Sequence, residues 1–211
     1  CAKVVAAGAS YEKMRFSYQE YFERMTDRKS WGKPLSALLG ALKMQVEFGL
    51  PSIGGKDSMS GTFENINVPP MLMAFGITTV DAGQVISPEL KYEGNKLYLI
   101  KHTPLANHMP DVEQLKANWN YIHEQIQAEN IVSGYALGFG GLAEAICKMS
   151  FGNGLDAKIK YDEKELFNYG YGSILVEAEE ELDWPNAILI GEVTDGEESE
   201  LTINGKKFDI F

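Results

Sequence analysis

This chain is poor in the residues that build disulfides, metal centres and basic surfaces. Of 211 residues only two are cysteine, Cys1 and Cys147, and three are histidine, His102, His108 and His123. Two cysteines so far apart in sequence fit a reducing compartment better than a disulfide framework. Cys147 is expected as a small core residue. No histidine pair has metal-ligand spacing: His102 and His108 lie in a polar loop around Pro104, and His123 sits on a helix beside Glu124 and Gln125. Nineteen Lys and Arg against 30 Asp and Glu leave a formal charge of −11. That balance excludes a broad nucleic-acid surface, which needs a clustered excess of base to neutralise phosphates, so any phosphate site must be local. No apolar run reaches the roughly 18 to 20 residues of a membrane span, and the N-terminus lacks the charged-then-apolar order of a signal peptide. A soluble, cytoplasmic protein with no membrane partner is expected. The G-x-x-x-x-G-K-[ST] spacing of a Walker A loop is missing, as are internal repeats and low-complexity segments.

With 45% hydrophobic and 23% charged residues, the chain can bury a sizeable core as one or two compact units. Its most informative stretch is Leu50-Pro51-Ser52-Ile53-Gly54-Gly55-Lys56-Asp57-Ser58-Met59-Ser60-Gly61. Gly54 and Gly55 let backbone N–H groups approach an anion, Lys56 supplies a cation, Asp57 a carboxylate, and Ser58 and Ser60 hydroxyls. The set suits a phosphate, with or without Mg²⁺; the competing reading is a tight turn whose polar residues satisfy backbone groups. A second candidate is Gly138-Phe139-Gly140-Gly141, leading into a helix with Leu142, Ala145, Ile146 and Met149 on its apolar face. Gly138, Gly140 and Gly141 would expose free N–H groups at a helix start, where the dipole favours an anion, although such a turn also serves packing alone.

Periodicity divides the chain into a lobe over 1–82 carrying the Lys56 loop, a linker over 83–94 punctuated by Gly83, Pro88 and Gly94, and an α/β domain over 95–211. In the first lobe, Ser17 to Arg24 predicts a helix. Leu35, Leu38, Leu39, Leu42 and Val46 predict a core-facing amphipathic helix, with Pro34 in its first turn and Gly49 as its stop. Met71 to Val80 predicts a buried strand, which puts the Lys56 loop at a sheet edge. In the second, Lys96–Lys101 predicts a strand, and Val112, Leu115, Trp119, Ile122 and Ile126 form one helical stripe capped by Asp111. Strands follow at 155–161, 172–178 and 187–194, and Leu201 to Phe208 predicts an Asn-Gly hairpin. The acidic run Glu177 to Glu181 is expected as a solvated strand end and turn.

The segment from Gly54 to Gly61, with Trp31 to Leu35 before it, the strand at Met71 and the Gly140-Gly141-Leu142-Ala143-Glu144-Ala145 helix start, resembles the second half of long-form phosphoribosylformylglycinamidine synthase. The resemblance covers most of residues 30 to 211. It implies an α/β (α+β) architecture: a partial N-terminal lobe and a layered C-terminal domain like that of aminoimidazole ribonucleotide synthetase. It also implies a portion of an ATP- and Mg²⁺-dependent, glutamine-using ligase of purine biosynthesis. That enzyme turns formylglycinamide ribonucleotide into its amidine, and the portion would act with a first half and a glutaminase domain as partners. A start at Cys1 without Met reads as a cut from such a longer chain, and neither cysteine has the sequence surroundings of a glutaminase nucleophile. This portion alone is expected to be inactive, with Lys56 meeting a phosphate and Asp57 orienting it or holding a metal through water. Two departures stand out. Relatives carry Asp where Phe139 stands and acidic residues where Tyr169 and Gly170 stand, and phenol and glycine cannot replace carboxylate ligands of Mg²⁺. An auxiliary nucleotide in this half is therefore not expected in its usual form, with Phe139, Tyr169 and Tyr171 filling its cavity instead. The alternatives are a ligand-free structural module completing a pseudo-dimer, and a related synthetase of the aminoimidazole ribonucleotide or selenophosphate type.

Overall fold

The computed structural model describes residues 1–195 and 200–209. Its elements are α1 (Ala2–Ala6), β1 (Arg15–Tyr21), α2 (Arg28–Phe48), β2 (Ser52–Ser58), β3 (Thr62–Phe63), β4 (Ile66–Asn67) and β5 (Met71–Ile77). Then follow β6 (Lys96–Ile100), α3 (Val112–Gln127), β7 (Ile131–Ala136), α4 (Gly141–Phe151) and β8 (Asp156–Ile159). Strands β9 (Ile174–Ala178), β10 (Ala187–Thr194), β11 (Glu200–Ile203) and β12 (Lys206–Asp209) complete the chain. Contacts group them into two units, Glu12–Thr79 and the combination of Cys1–Tyr11 with Val80–Phe211.

The smaller unit is built on a three-stranded sheet of order β2-β1-β5, with β1 parallel to β2 and antiparallel to β5. The helix expected over Ser17 to Arg24 is absent. Phe16 and Tyr18, two residues apart, bring their rings to 5.8 Å on one face, and ladders on both edges of β1 favour the two-residue period over the helical one. Helix α2 begins earlier than a Pro34 in its first turn requires, because Asp27 and Ser30 close a capping box: Asp27 Oδ1 accepts from Ser30 N at 2.7 Å, and Ser30 Oγ accepts from Asp27 N at 3.0 Å. Pro34 consequently lies inside the helix rather than in its first turn. The stop at Gly49 is as expected, in the left-handed conformation with φ 68°. The apolar stripe, expected to face a core, is exposed: Leu35 is 59% and Val46 70% accessible. Strand β5 is likewise largely exposed, with Phe75 and Ile77 open to solvent.

The larger unit holds a seven-stranded mixed sheet of order β12-β11-β8-β10-β6-β9-β7. Leu97, Leu99, Leu175, Ala157, Ile159, Val193 and Leu201 pack with Leu142, Ala145, Ile146 and Met149 of α4 into one buried cluster on one face. Strand alternation sends Tyr98, Ile100, Ile174 and Val176 to the other face. There α1 closes against Gly134, whose added Cβ would stand 3.3 Å from the Ala6 carbonyl oxygen. The five-residue stripe of α3 is buried as expected, with Asp111 accepting from Gln114 N at 3.0 Å as its cap. Tyr11 meets Trp119 edge-on at 5.5 Å, and His123 Nδ1 donates to the Gly8 carbonyl at 3.1 Å. Cys1–Tyr11 therefore belongs with this unit and not with the first lobe where sequence placed it. The hairpin turn at Asn204-Gly205 takes two positive φ angles, 51° and 78°, the geometry Asn-Gly favours.

Two expectations fail around one carboxylate. Glu177, placed by sequence in a solvated run, is fully buried on β9. Its oxygens accept from Lys91 N at 2.8 Å, Tyr92 N at 3.0 Å, Asn95 Nδ2 at 2.8 Å and Ser133 Oγ at 3.0 Å. Four donors supply the compensation that a buried charge requires. They also fasten the segment expected to be a free linker: Leu90 beside them is 1% exposed and donates from its N–H to the Met149 carbonyl at 2.9 Å. Glu177→Ala strands four donors, and we expect it to lower the unfolding free energy of this unit by about 3 kcal/mol or more, read as a reduced urea midpoint; Glu177→Gln should retain part of that loss.

Candidate functional site

The stretch Gly54 to Ser58, expected as a loop, is the edge strand β2. Glycine makes this pairing fit: a Cβ at Gly55 would lie 2.3 Å from the Tyr18 carbonyl oxygen. Strand geometry then separates the chemistry. Gly54, Lys56 and Ser58 project to one face, and Gly55 and Asp57 to the other. Lys56 Nζ donates to the backbone oxygen of Asp57 at 3.2 Å, not to its carboxylate. Lys56 and Asp57 are exposed, Ser58 is half-buried, and Ser60 lies beyond the strand, exposed. Because β2 ends the sheet, its outer edge is unpaired among the described residues, leaving backbone N–H groups for an anion or another strand.

The sequence reading missed Glu20. It pairs in register with Asp57 across the β1–β2 ladder, is 7% exposed, and its Oε2 has no hydrogen-bond partner. Burial, and secondarily the Asp57 charge, push its carboxyl above the ordinary range. Phe16, Tyr18 and Glu20 at a two-residue spacing were the available signal, hidden by the helical reading.

At the second candidate, β7 runs through Gly138 into α4 with Gly140 as N-cap. Gly141 needs to be glycine: it has φ 64°, and a Cβ would meet the carbonyl oxygens of Asn168 at 2.6 Å and Leu166 at 2.7 Å. Three N–H groups at this helix start are engaged internally, Gly141 N donating to the Gly138 carbonyl at 3.2 Å. Gly140 N donates to Glu144 Oε2 at 2.8 Å and Ala143 N to the Leu166 carbonyl at 3.0 Å. Glu144 Oε1 accepts from Lys148 Nζ at 2.7 Å and Tyr135 OH at 3.2 Å. The Lys148 ammonium first, then the Gly140 N–H, hold the Glu144 carboxyl down at about 2. A side-chain carboxylate thus stands where an anion would sit at this helix start. Glu144, four residues after the capping glycine and four before Lys148, was the residue to notice.

Phe139, Tyr169 and Tyr171 do come together, with ring centroids 4.9 Å and 5.7 Å apart along the series. They fill no cavity, since each is more than half exposed. No Mg²⁺ fits among them, for they offer no charged oxygen. His102, expected in a polar loop, is buried. Its Nε2 accepts from Asp111 N at 3.1 Å, which assigns the Nδ1 proton to the Tyr171 carbonyl at 2.9 Å. It braces the loop bearing Tyr169 and Tyr171 against the start of α3. Cys147 is half-buried against the α4 core and unpaired with Cys1. Among the described residues no group of three His, Cys, Asp or Glu could hold a metal, and no helix is long and apolar enough to cross a membrane.

No protein-family model and no curated protein sequence matches this chain. Solved structures do. Thermotoga maritima PurL complexed with AMPPCP aligns over 99% of this chain at TM-score 0.71 and 13% identity. The chain has the fold of these PurL structures. It spans 38% of the length of that PurL chain. Thiamine monophosphate kinase from Aquifex aeolicus aligns over 99% of this chain and 78% of its own, with TM-score 0.65 and 15% identity. The hydrogenase maturation protein HypE in complex with ATP aligns over 99% and 75%, with TM-score 0.68 and 13% identity. All are neighbours in fold, and other T. maritima PurL structures hold ATP, ADP or FGAR.

The buried Glu20 carboxyl gives a pH test. Because Glu20 keeps its proton longer folded than unfolded, its neutral form is the favoured one in the fold. Stability it contributes is complete below the unfolded value of 4.5 and is lost as pH rises towards the raised folded value. Glu20→Gln should therefore unfold like the wild type below pH 4.5 and become the more stable of the two above it, as read by urea midpoints across that range.

Proposed function

We propose that this chain is the second-half portion of an ATP-dependent C–N ligase, a phosphoribosylformylglycinamidine synthase. The complete enzyme would convert formylglycinamide ribonucleotide, with glutamine-derived ammonia, into the amidine. The observation that carries the reading is the Gly54 to Ser60 segment: Lys56 and the Ser58 hydroxyl on an edge strand, with Ser60 just beyond it, within a chain sharing the PurL fold over 99% of its length. In the reaction a phosphoryl transfer activates the amide oxygen and ammonia displaces it, so catalysis rests on positioned charge. Lys56, extended and exposed, serves as the cation for a phosphate of the ribonucleotide or nucleotide, with Ser58 on its face as a hydroxyl donor.

ATP and Mg²⁺ belong to the complete enzyme, whose first half and glutaminase domain are the partners. The exposed stripe Leu35, Leu38, Leu42 and Val46 and the exposed side of β5 support a partner surface in the smaller unit. No auxiliary nucleotide sits at Gly138 to Gly141, because Glu144 already neutralises the helix start and Phe139 and Tyr169 supply no metal ligand. That same observation favours a second reading, in which this half is a scaffold completing the pseudo-dimer.

Replacing Lys56 in the full-length protein separates the two. Lys56→Ala should lower kcat/KM for the ribonucleotide by at least about tenfold, equivalent to ~1.4 kcal/mol of transition-state stabilisation, at an unchanged unfolding midpoint. Unaltered kinetics would assign the strand to scaffolding.

A further inference from the structure

The sheet of the larger unit is unevenly covered. On the face opposite α4, α1 and α3 lie over the β7 end, and among the described residues of this unit neither helix packs in the same way on the stretch from β10 to β11. Cross-strand register places one line of side chains across this stretch: Thr202 opposite Lys158, Lys158 opposite Glu192, and Glu192 opposite Lys96. Lys160, two residues beyond Lys158, projects to the same face. Around them is a depression of about 540 Å³, within the size range of small-molecule sites.

Its shape has a backbone cause. The β10 ladder shifts register between Leu189 and Gly191, inserting Ile190 into the core as a bulge. Gly191 is obligatory there, since a Cβ would lie 2.0 Å from the Lys158 carbonyl oxygen. Leu189 is left on that face, 57% exposed, as an apolar floor.

The charges do not cancel. Glu192 is engaged by Lys96 at 2.8 Å, the kind of cross-strand pair that stabilises a sheet by itself. Lys158 and Lys160 have no ion-pair partner among the described residues, and the Thr202 hydroxyl has no hydrogen-bond partner there. Two ammonium groups and one hydroxyl therefore face the depression in a chain of formal charge −11. A phosphate monoester dianion matches that set: two charges for two lysines, and three terminal oxygens for three donors.

We propose that this depression binds a free small molecule bearing a phosphate monoester on an apolar body, with Lys158, Lys160 and Thr202 on the phosphate and Leu189 under the body. The site lies in the larger unit and is independent of the reading of Lys56.

Phenyl phosphate, with phenol as the control lacking the anion, tests it in the full-length protein by lysine acetylation followed by mass spectrometry. Phenyl phosphate at saturation should slow acetylation of Lys158 and Lys160 by about threefold or more, the factor for a site at least two-thirds occupied. Phenol should leave both rates unchanged, and the exposed Lys13 and Lys164 should not respond to either compound. Ligand-observed NMR should show phenyl phosphate binding lost in the folded Lys158→Gln/Lys160→Gln variant and weakened in Thr202→Val. Unslowed Lys158 and Lys160, equal slowing of Lys13 and Lys164, or undiminished binding in the double variant would each overturn the proposal.

Discussion

The buried carboxylate of Glu177 is the constraint on which the larger unit depends. A carboxylate fully buried on β9, one strand in from the edge of a seven-stranded sheet, is tolerable only with its lone pairs filled. The donors that fill them come from three separate places: the backbone at Lys91 and Tyr92, the Asn95 side chain, and Ser133 on β7. Satisfying one ion thus fixes the entry of the chain into β6, the pairing of β9 with β7, and the seating of Leu90 under α4. The smaller unit has no equivalent. Its sheet is three strands wide, its helix stripe is exposed, and its one buried acid, Glu20, has an unpartnered oxygen.

The same physics separates the two glycine-rich candidates. At Gly138 to Gly141 a helix start generates positive potential, and the chain answers it with its own Glu144, which Lys148 and Tyr135 hold in place. At Gly54 to Ser58 there is no helix end and no internal answer to Lys56 beyond a backbone oxygen. One site is electrostatically closed and the other open. This contrast supports the proposed phosphate contact at the edge strand and the proposed structural role of α4.

What could be read from sequence followed the strength of local signals. The Asp111 cap, the stripe from Val112 to Ile126, the β10 strand and the Asn204-Gly205 turn each combine a periodic pattern with a terminal signal, and each is where expected. Residues with two local solutions misled. Ser17 to Arg24 mixes aromatics and charges in a way compatible with either period, and only pairing on both sides of β1 settles it. Gly54-Gly55 looks like a turn until close approach to Tyr18 explains the glycine. Glu177 could not be separated from Glu179 to Glu181, because its distinguishing feature is a set of donors 44 to 86 residues away. Glu144 and Glu20 were overlooked for a related reason: their roles come from what faces them, not from a motif containing them.

Glu144 takes the anion position at the start of α4. Calorimetric titration with Mg²⁺-ADP, paired with amide hydrogen exchange at Gly140 and Gly141, tests it most directly. Nucleotide should leave exchange at these two amides unchanged in the wild type. Saturable binding that protects both amides while Glu144 is intact would contradict it.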